Sequence, residues 1–235
     1  MRSEQIVKAL IEKLGGNFSS SLDIDLEKGS PIEIFKWFLA SILFGARISD
    51  KIVLDTYWEF EARGILTPDK ILKTGWDDLV EILDAGGYVR YDSNTATTLL
   101  EVMENLKEKY QGDLNRLHDS AENPSNSERK LQELGNGIGQ VTVNTFLREL
   151  RGIWKKADPL PQSLVVLTAN NLGLVETRSP QQVLLSLEQV WKEYQLPDRR
   201  FSDFESSLVR LGKTYCRRGI CTECLMENLC PKVRC

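Results

Sequence analysis

Cysteine is absent from the first 215 residues of this 235-residue chain, and histidine occurs once, as His118. No stretch approaches the roughly 18 consecutive apolar residues of a membrane-spanning helix. Each absence excludes something. A disulfide framework distributed along the chain is ruled out, a multi-His metal centre cannot be built from one imidazole, and no Ser or Cys triad is supported. Strand-like alternation of apolar and polar residues is nearly missing, and no repeat of 20 to 50 residues is visible, which argues against a solenoid. The first 30 residues intersperse Arg2, Glu4, Lys8, Glu12 and Lys13 with apolar residues, a pattern unlike an export signal. A cytoplasmic protein with no membrane partner is the expectation.

What is present is enough apolar surface for one substantial core or two modest ones: 41% hydrophobic against 27% charged residues. Apolar residues recur at helical spacing, as in Ile6, Leu10, Ile11 and Leu14, or Ile34, Phe35, Phe38, Leu39 and Ile42. Further stripes run through Ile52, Val53, Tyr57 and Phe60, through Leu99, Leu100, Met103 and Leu106, and through Val183, Leu184, Leu187 and Trp191. Ser30-Pro31, Thr67-Pro68 and Ser179-Pro180 mark helix starts, while Gly86-Gly87 and Gly112 follow helix ends. The fold class is all-α. His118, within the polar run Leu117-His118-Asp119-Ser120, reads as a loop residue.

The net charge of -4 is unevenly distributed. Residues 136–235 hold 14 Lys and Arg against 10 Asp and Glu, whereas residues 1–135 hold 16 against 24, so the halves carry +4 and -8. Arg148, Arg151, Lys155 and Lys156 form one basic group. A second, Arg199, Arg200, Arg210, Lys213, Arg217 and Arg218, approaches the cysteines. Such groups serve either as a solvated face or as contacts for a polyanion.

All five cysteines fall at the C-terminal end, as Cys216-x4-Cys221-x2-Cys224-x5-Cys230-x4-Cys235. Thiols gathered this way converge on an ion or cluster. Zinc sites usually show two close pairs; the single close pair here, Cys221 and Cys224, favours an iron-sulfur cluster over zinc. Cys216, Cys221, Cys224 and Cys230 are the candidate ligands. Cys235, the last residue, is the spare. A zinc-stapled helical interaction domain remains as an alternative.

A second informative segment is Leu134-Gly135-Asn136-Gly137-Ile138-Gly139-Gln140-Val141-Thr142, between helical stretches expected at 127–134 and 140–150. It reads as a helix-hairpin-helix. The glycines permit positive φ and leave amides uncovered, and Ile138 plugs the space between the helices. Gly135, Gly137, Ile138, Gly139 and Gln140 are the candidate phosphate-contacting residues. Seventeen residues after Val141 comes Asp158, in Asp158-Pro159-Leu160-Pro161.

Hairpin, aspartate and C-terminal cysteines, in that order, resemble the helix-hairpin-helix DNA glycosylases of the endonuclease III superfamily, over nearly the whole chain. Leu43-Phe44-Gly45-Ala46-Arg47-Ile48-Ser49-Asp50 resembles the family's early substrate-facing turn, and Gly86-Gly87-Tyr88 its mid-domain glycine-tyrosine turn. The resemblance implies two helical domains with a cleft between them, residues 22–134 forming one and residues 1–21 plus 135–235 the other. It further implies a monomer, a 4Fe-4S cluster on the cysteine loop, DNA as partner, and Asp158 as the catalytic carboxylate. Arg47 stands where many relatives insert Gln into the duplex. Tyr88, Asn136 and Gln140 join it as residues that could read an extruded base.

Several positions depart from the family pattern. Lyase-active members carry Lys two residues after the last hairpin glycine, where this chain has Val141, so base release without strand cleavage is expected. Asp158 precedes Pro-Leu-Pro in place of Thr-His-Val. The first cysteine spacing is shorter than usual. Ile42 lies near where adenine-removing relatives hold a catalytic Glu, which weighs against that specificity. A non-catalytic iron-sulfur protein that binds DNA on the same scaffold is the alternative reading.

Overall fold

The computed structural model describes residues 2–232. Among them the regular structure is helical, with one isolated bridge between Arg151 and Trp154. The chain forms two compact units, 19–159 and 1–18 with 160–235.

The unit of residues 19–159 holds seven α-helices: α2 (Pro31–Phe44), α3 (Asp50–Ala62), α4 (Pro68–Ala85), α5 (Asp92–Tyr110), α6 (Leu114–Ser120), α7 (Pro124–Gln132) and α8 (Gln140–Glu149). The predicted Pro starts of α2 and α4 hold, with Thr67 accepting from the Lys70 amide. Gly75, at φ +78, breaks α4. Helix α2 is buried on nearly all sides, from Ile34 to Phe44 with only Lys36 partly open, as expected of a helix whose apolar residues do not confine themselves to one stripe. Helices α3, α6 and α8 pack on it. Trp37 Nε1–H donates to the Phe146 carbonyl at 3.0 Å, and the Phe38 and Phe146 rings meet edge-on at 5.0 Å.

The second unit holds α1 (Arg2–Leu14), α9 (Ser163–Asn171), α10 (Pro180–Tyr194), α11 (Phe201–Thr214) and the cysteine-bearing tail. Trp191 stacks on Phe204. Asp203 fixes the start of α11 by accepting the Arg200 amide at 2.8 Å and the Asn17 amide at 3.0 Å. Helix α1 packs on α10 and α11, and reaches the tail through Arg2 to the Leu229 carbonyl and Lys13 to the Leu225 carbonyl.

The compact units place residues 135–159 with α2, whereas the sequence grouped them with the cysteines. The reason is the apolar face of α8. Val143, Phe146 and Leu147 are fully buried, and that face has its partner in α2. His118 likewise lies on α6 and is buried, not in a loop.

The turn between α7 and α8 is held by α5. The Asn136 amide and Nδ2–H groups donate to the Glu101 carboxylate at 3.1 and 3.2 Å, and Thr98 Oγ1 donates to the Asn136 carbonyl. Gly137 has φ +99, and a Cβ there would sit 2.7 Å from Thr98 Oγ1; Gly139 has φ -86 and open space where a Cβ would be. Gly137→Ala is therefore expected to lower stability by about 1–3 kcal/mol, while Gly139→Ala changes it by less than about 0.5 kcal/mol. Denaturant titration of both variants checks the contrast, and equal losses would remove it.

Candidate functional site

Ile138 is buried. Gly139 caps α8 with no side-chain bond to the first-turn amides. Neither φ nor crowding demands glycine at 139. Gln140 is committed locally, accepting from Gln132 at 3.0 Å and donating to Glu128 at 3.3 Å.

Two other turns lie beside the start of α8. Gly45 packs against Thr142, where a Cβ would come within 2.3 Å of Oγ1. The Tyr88 hydroxyl donates to the Leu43 carbonyl at 2.7 Å, and Gly86 rests on the Thr56 backbone. Turns 45–49 and 86–91 and the hairpin thus share one edge of this unit, presenting exposed Arg47, Val89, Arg90 and Val141. Tyr88 is fully buried, and that burial pushes its hydroxyl well above the usual range, so it remains a donor. It is fixed inside the fold and does not reach the surface. Val89 and Arg90 went unnoticed in the sequence. The available signal was an apolar residue in a turn, outside the stripe of either flanking helix.

After α8 the chain forms a pinned loop, 150–159. Trp154 is buried edge-on against Phe146 at 5.4 Å, stacks on His118 at 4.6 Å, and donates from Nε1 to Asn115 at 2.8 Å. Lys156 Nζ donates to the His118 and Asp119 carbonyls at the end of α6, where a helix dipole favours a cation. Asp158 emerges from this base with its side chain 58% exposed, ion-paired to Arg151 Nη1 at 2.5 Å; Arg151 is 9% exposed and also donates to the Pro159 carbonyl.

The basic group read from the sequence is thereby dispersed: Arg148 is buried, Arg151 holds Asp158, Lys156 caps α6, and Lys155 is left to solvent. In the second group Arg210 lies over the Phe18 ring and donates to the Leu14 and Asn17 carbonyls, while Arg217 and Arg218 are exposed.

The four candidate cysteines, Cys216, Cys221, Cys224 and Cys230, line one cavity of about 380 Å³, with Asn171 and Tyr215 also on its wall. Cys230 donates to the Asn171 carbonyl at 3.3 Å and Cys224 accepts the Met226 amide. Burial pushes the Cys216 and Cys224 thiols up, so they stand protonated. Cys216, Cys224 and Cys230 are free, whereas Cys221 is disulfide-bonded. Among the described residues no group of three or more His, Cys, Asp or Glu is gathered to hold an ion as it stands. The donors suit a cluster in number and kind, since all four cysteines line the same cavity and sulfur is the donor such a cluster takes. Cys235 lies outside the described residues.

No protein-family model matches this sequence, and no curated protein matches it at the sequence level. Solved structures do. A 3-methyladenine DNA glycosylase of H. pylori (MagIII), bound to 1,N6-ethenoadenine, aligns over 90% of this chain and 97% of its own with a TM-score of 0.61 at 16% identity. An endonuclease III in a non-covalent complex with DNA aligns over 98% and 95% with a TM-score of 0.58 at 18% identity. The chain has the all-α fold of the helix-hairpin-helix DNA glycosylases. No helix of the described residues is long and apolar enough to cross a membrane.

The His118 environment makes a pH prediction. Its Nε2 accepts the Lys156 amide at 3.3 Å, which requires the neutral ring. Burial first and the Lys156 charge second lower its pKa below 6.5, against a smaller opposing pull from Asp119. The unfolded chain then binds the proton at higher pH than the folded one, so this contribution is complete above pH 6.5 and is lost as pH falls below it. Unfolding of wild type and His118→Gln across that range is expected to show the wild type losing more stability on acidification; parallel curves would overturn the assignment.

Proposed function

We propose that this protein is a monofunctional DNA glycosylase of base excision repair, which hydrolyses the bond between a damaged or mismatched base and its deoxyribose. The observation that carries the reading is a carboxylate, Asp158, rising exposed from a loop pinned by buried Trp154, in a fold shared with DNA glycosylases. DNA is the partner. The first-turn amides of α8, beginning at Gln140, receive backbone phosphate past Gly139; Gly135, Gly137 and Ile138 shape the turn that presents them, and Arg47, Val89 and Arg90 meet the duplex at the same edge. Extruding the base costs a few kcal/mol, least at damaged or mispaired sites.

As the bond from C1′ to the base breaks, its electron pair leaves with the base and positive charge builds on the sugar. Asp158 stabilises that charge, then accepts a proton from the water that attacks C1′. Val141 offers no amine for a Schiff base with the sugar, so the product is an intact strand carrying an abasic site. Cys216, Cys221, Cys224 and Cys230 hold a 4Fe-4S cluster, which cross-links the tail when bound. Arg217 and Arg218, exposed beside it, contact phosphate or balance its negative charge.

A second reading is favoured by the guanidinium on Asp158: a protein that binds damaged DNA through the same surface without releasing a base. The two separate in one assay. Duplexes carrying uracil, thymine mismatches, oxidised or alkylated bases are incubated with protein and then treated with alkali. Strand cleavage only after alkali, lost by at least about 100-fold in Asp158→Asn with binding kept, is expected. Binding with no release from any duplex would select the second reading, and borohydride trapping of a covalent adduct would overturn the monofunctional assignment.

Anaerobically prepared protein is expected to contain about four iron atoms and a visible absorption band, both diminished in Cys216→Ala. Stoichiometric zinc without iron would replace the cluster by a zinc staple.

A further inference from the structure

We propose that Arg151 is the positioning residue of Asp158, dividing the labour of the two carboxylate oxygens. This rests on the reading of Asp158 as the carboxylate of base release. An aspartate in a turn is ordinarily oriented by backbone amides just after it. Here the residues at 159 and 161 are proline and have no N–H to give, which leaves the Leu160 amide as the near backbone donor. Helix α9 begins only at Ser163. The guanidinium brings a charged, planar donor to that task.

Its geometry suits the purpose. Nη1 of Arg151 bonds Asp158 Oδ1, and Nη2 bonds the carbonyl of Pro159, so one planar fork fixes both the side chain and the peptide that follows it. Arg151 is itself immobilised. It follows the last turn of α8, its backbone bridges to Trp154, its side chain is 9% exposed, and Trp154 is locked against Phe146 and His118. No described residue bonds Oδ2 of Asp158. One oxygen is thus held, and the other stays open to the sugar and to the attacking water. The positive charge of Arg151 opposes the electrostatic role of Asp158, yet the carboxylate is half exposed and solvent screens the pair. Orientation is the larger effect, since small misplacements of a reacting group cost far more than a screened charge.

The test uses the full-length protein and the duplex that the wild type processes best among uracil, thymine-mismatch and alkylated-purine duplexes, with single-turnover release measured beside affinity for a duplex bearing a tetrahydrofuran abasic analogue. Arg151→Met is expected to slow release by roughly 10- to 100-fold while affinity changes by less than about threefold. Arg151→Lys keeps the charge without the fork and is expected to fall between wild type and Arg151→Met. Combining Arg151→Met with Asp158→Asn is expected to be no slower than Asp158→Asn alone. Wild-type rates in either Arg151 variant would overturn the proposal while leaving the glycosylase reading intact. So would a slowing matched by equal loss of affinity in both variants, or full additivity in the double variant. Absence of release by the wild type from every duplex would overturn the parent reading, and Arg151 with it.

Discussion

The bond from the Trp37 indole to the Phe146 carbonyl, with the Phe38 ring against Phe146, is the constraint on which this site depends. It seats α8 on the buried helix α2. Helix α8 carries the hairpin turn at its first residue and the Asp158 loop after its last, so one seating fixes both. From Phe146 the packing continues to Trp154, then to His118 on α6, which makes the loop a continuation of the core. A buried indole N–H that lost its acceptor would cost more than the bond itself contributes, which is why the arrangement is specific as well as stable.

How far the sequence revealed this depends on the kind of information involved. The helices were legible because their apolar stripes repeat at 3.6 residues and their starts carry Ser-Pro or Thr-Pro; Val53, Tyr57 and Phe60 or Val183, Leu187 and Trp191 fall on buried faces as their spacing requires. The hairpin was legible for a related reason. Gly137 meets Thr98 where any side chain would collide, and a positive φ leaves a mark in composition. Grouping residues 135–159 with the cysteines failed because sequence order says nothing of which helix receives the face of α8.

Arg151 and His118 were illegible for another reason. Both act through contacts with residues that periodicity does not couple to them: Arg151 with Asp158 and Pro159 across a loop, His118 with Lys156 across 38 positions. A sequence shows that basic residues cluster, and counts them alike. The fold sorts them, burying Arg148, pairing Arg151, turning Lys156 onto a helix end and leaving Lys155 outside. Net charge over a segment therefore overstated the surface available to a polyanion. The proposed edge at Arg47 and Arg90 rests on individual exposed cations, a stronger argument than a sum of charges.

The departures from the family pattern acquire a common physical sense in this geometry. Pro159 and Pro161 offer no amide donors after the carboxylate, and the next helix begins at Ser163. Such a change alone would leave an exposed aspartate free among its rotamers. A guanidinium on a buried arginine restores orientation from the opposite side, through a side chain where backbone would otherwise serve. Val141, in the first turn of α8, is exposed and carries no amine. Such a site would suit the chemistry we propose, a single oriented carboxylate acting on water without an amine to form a covalent intermediate.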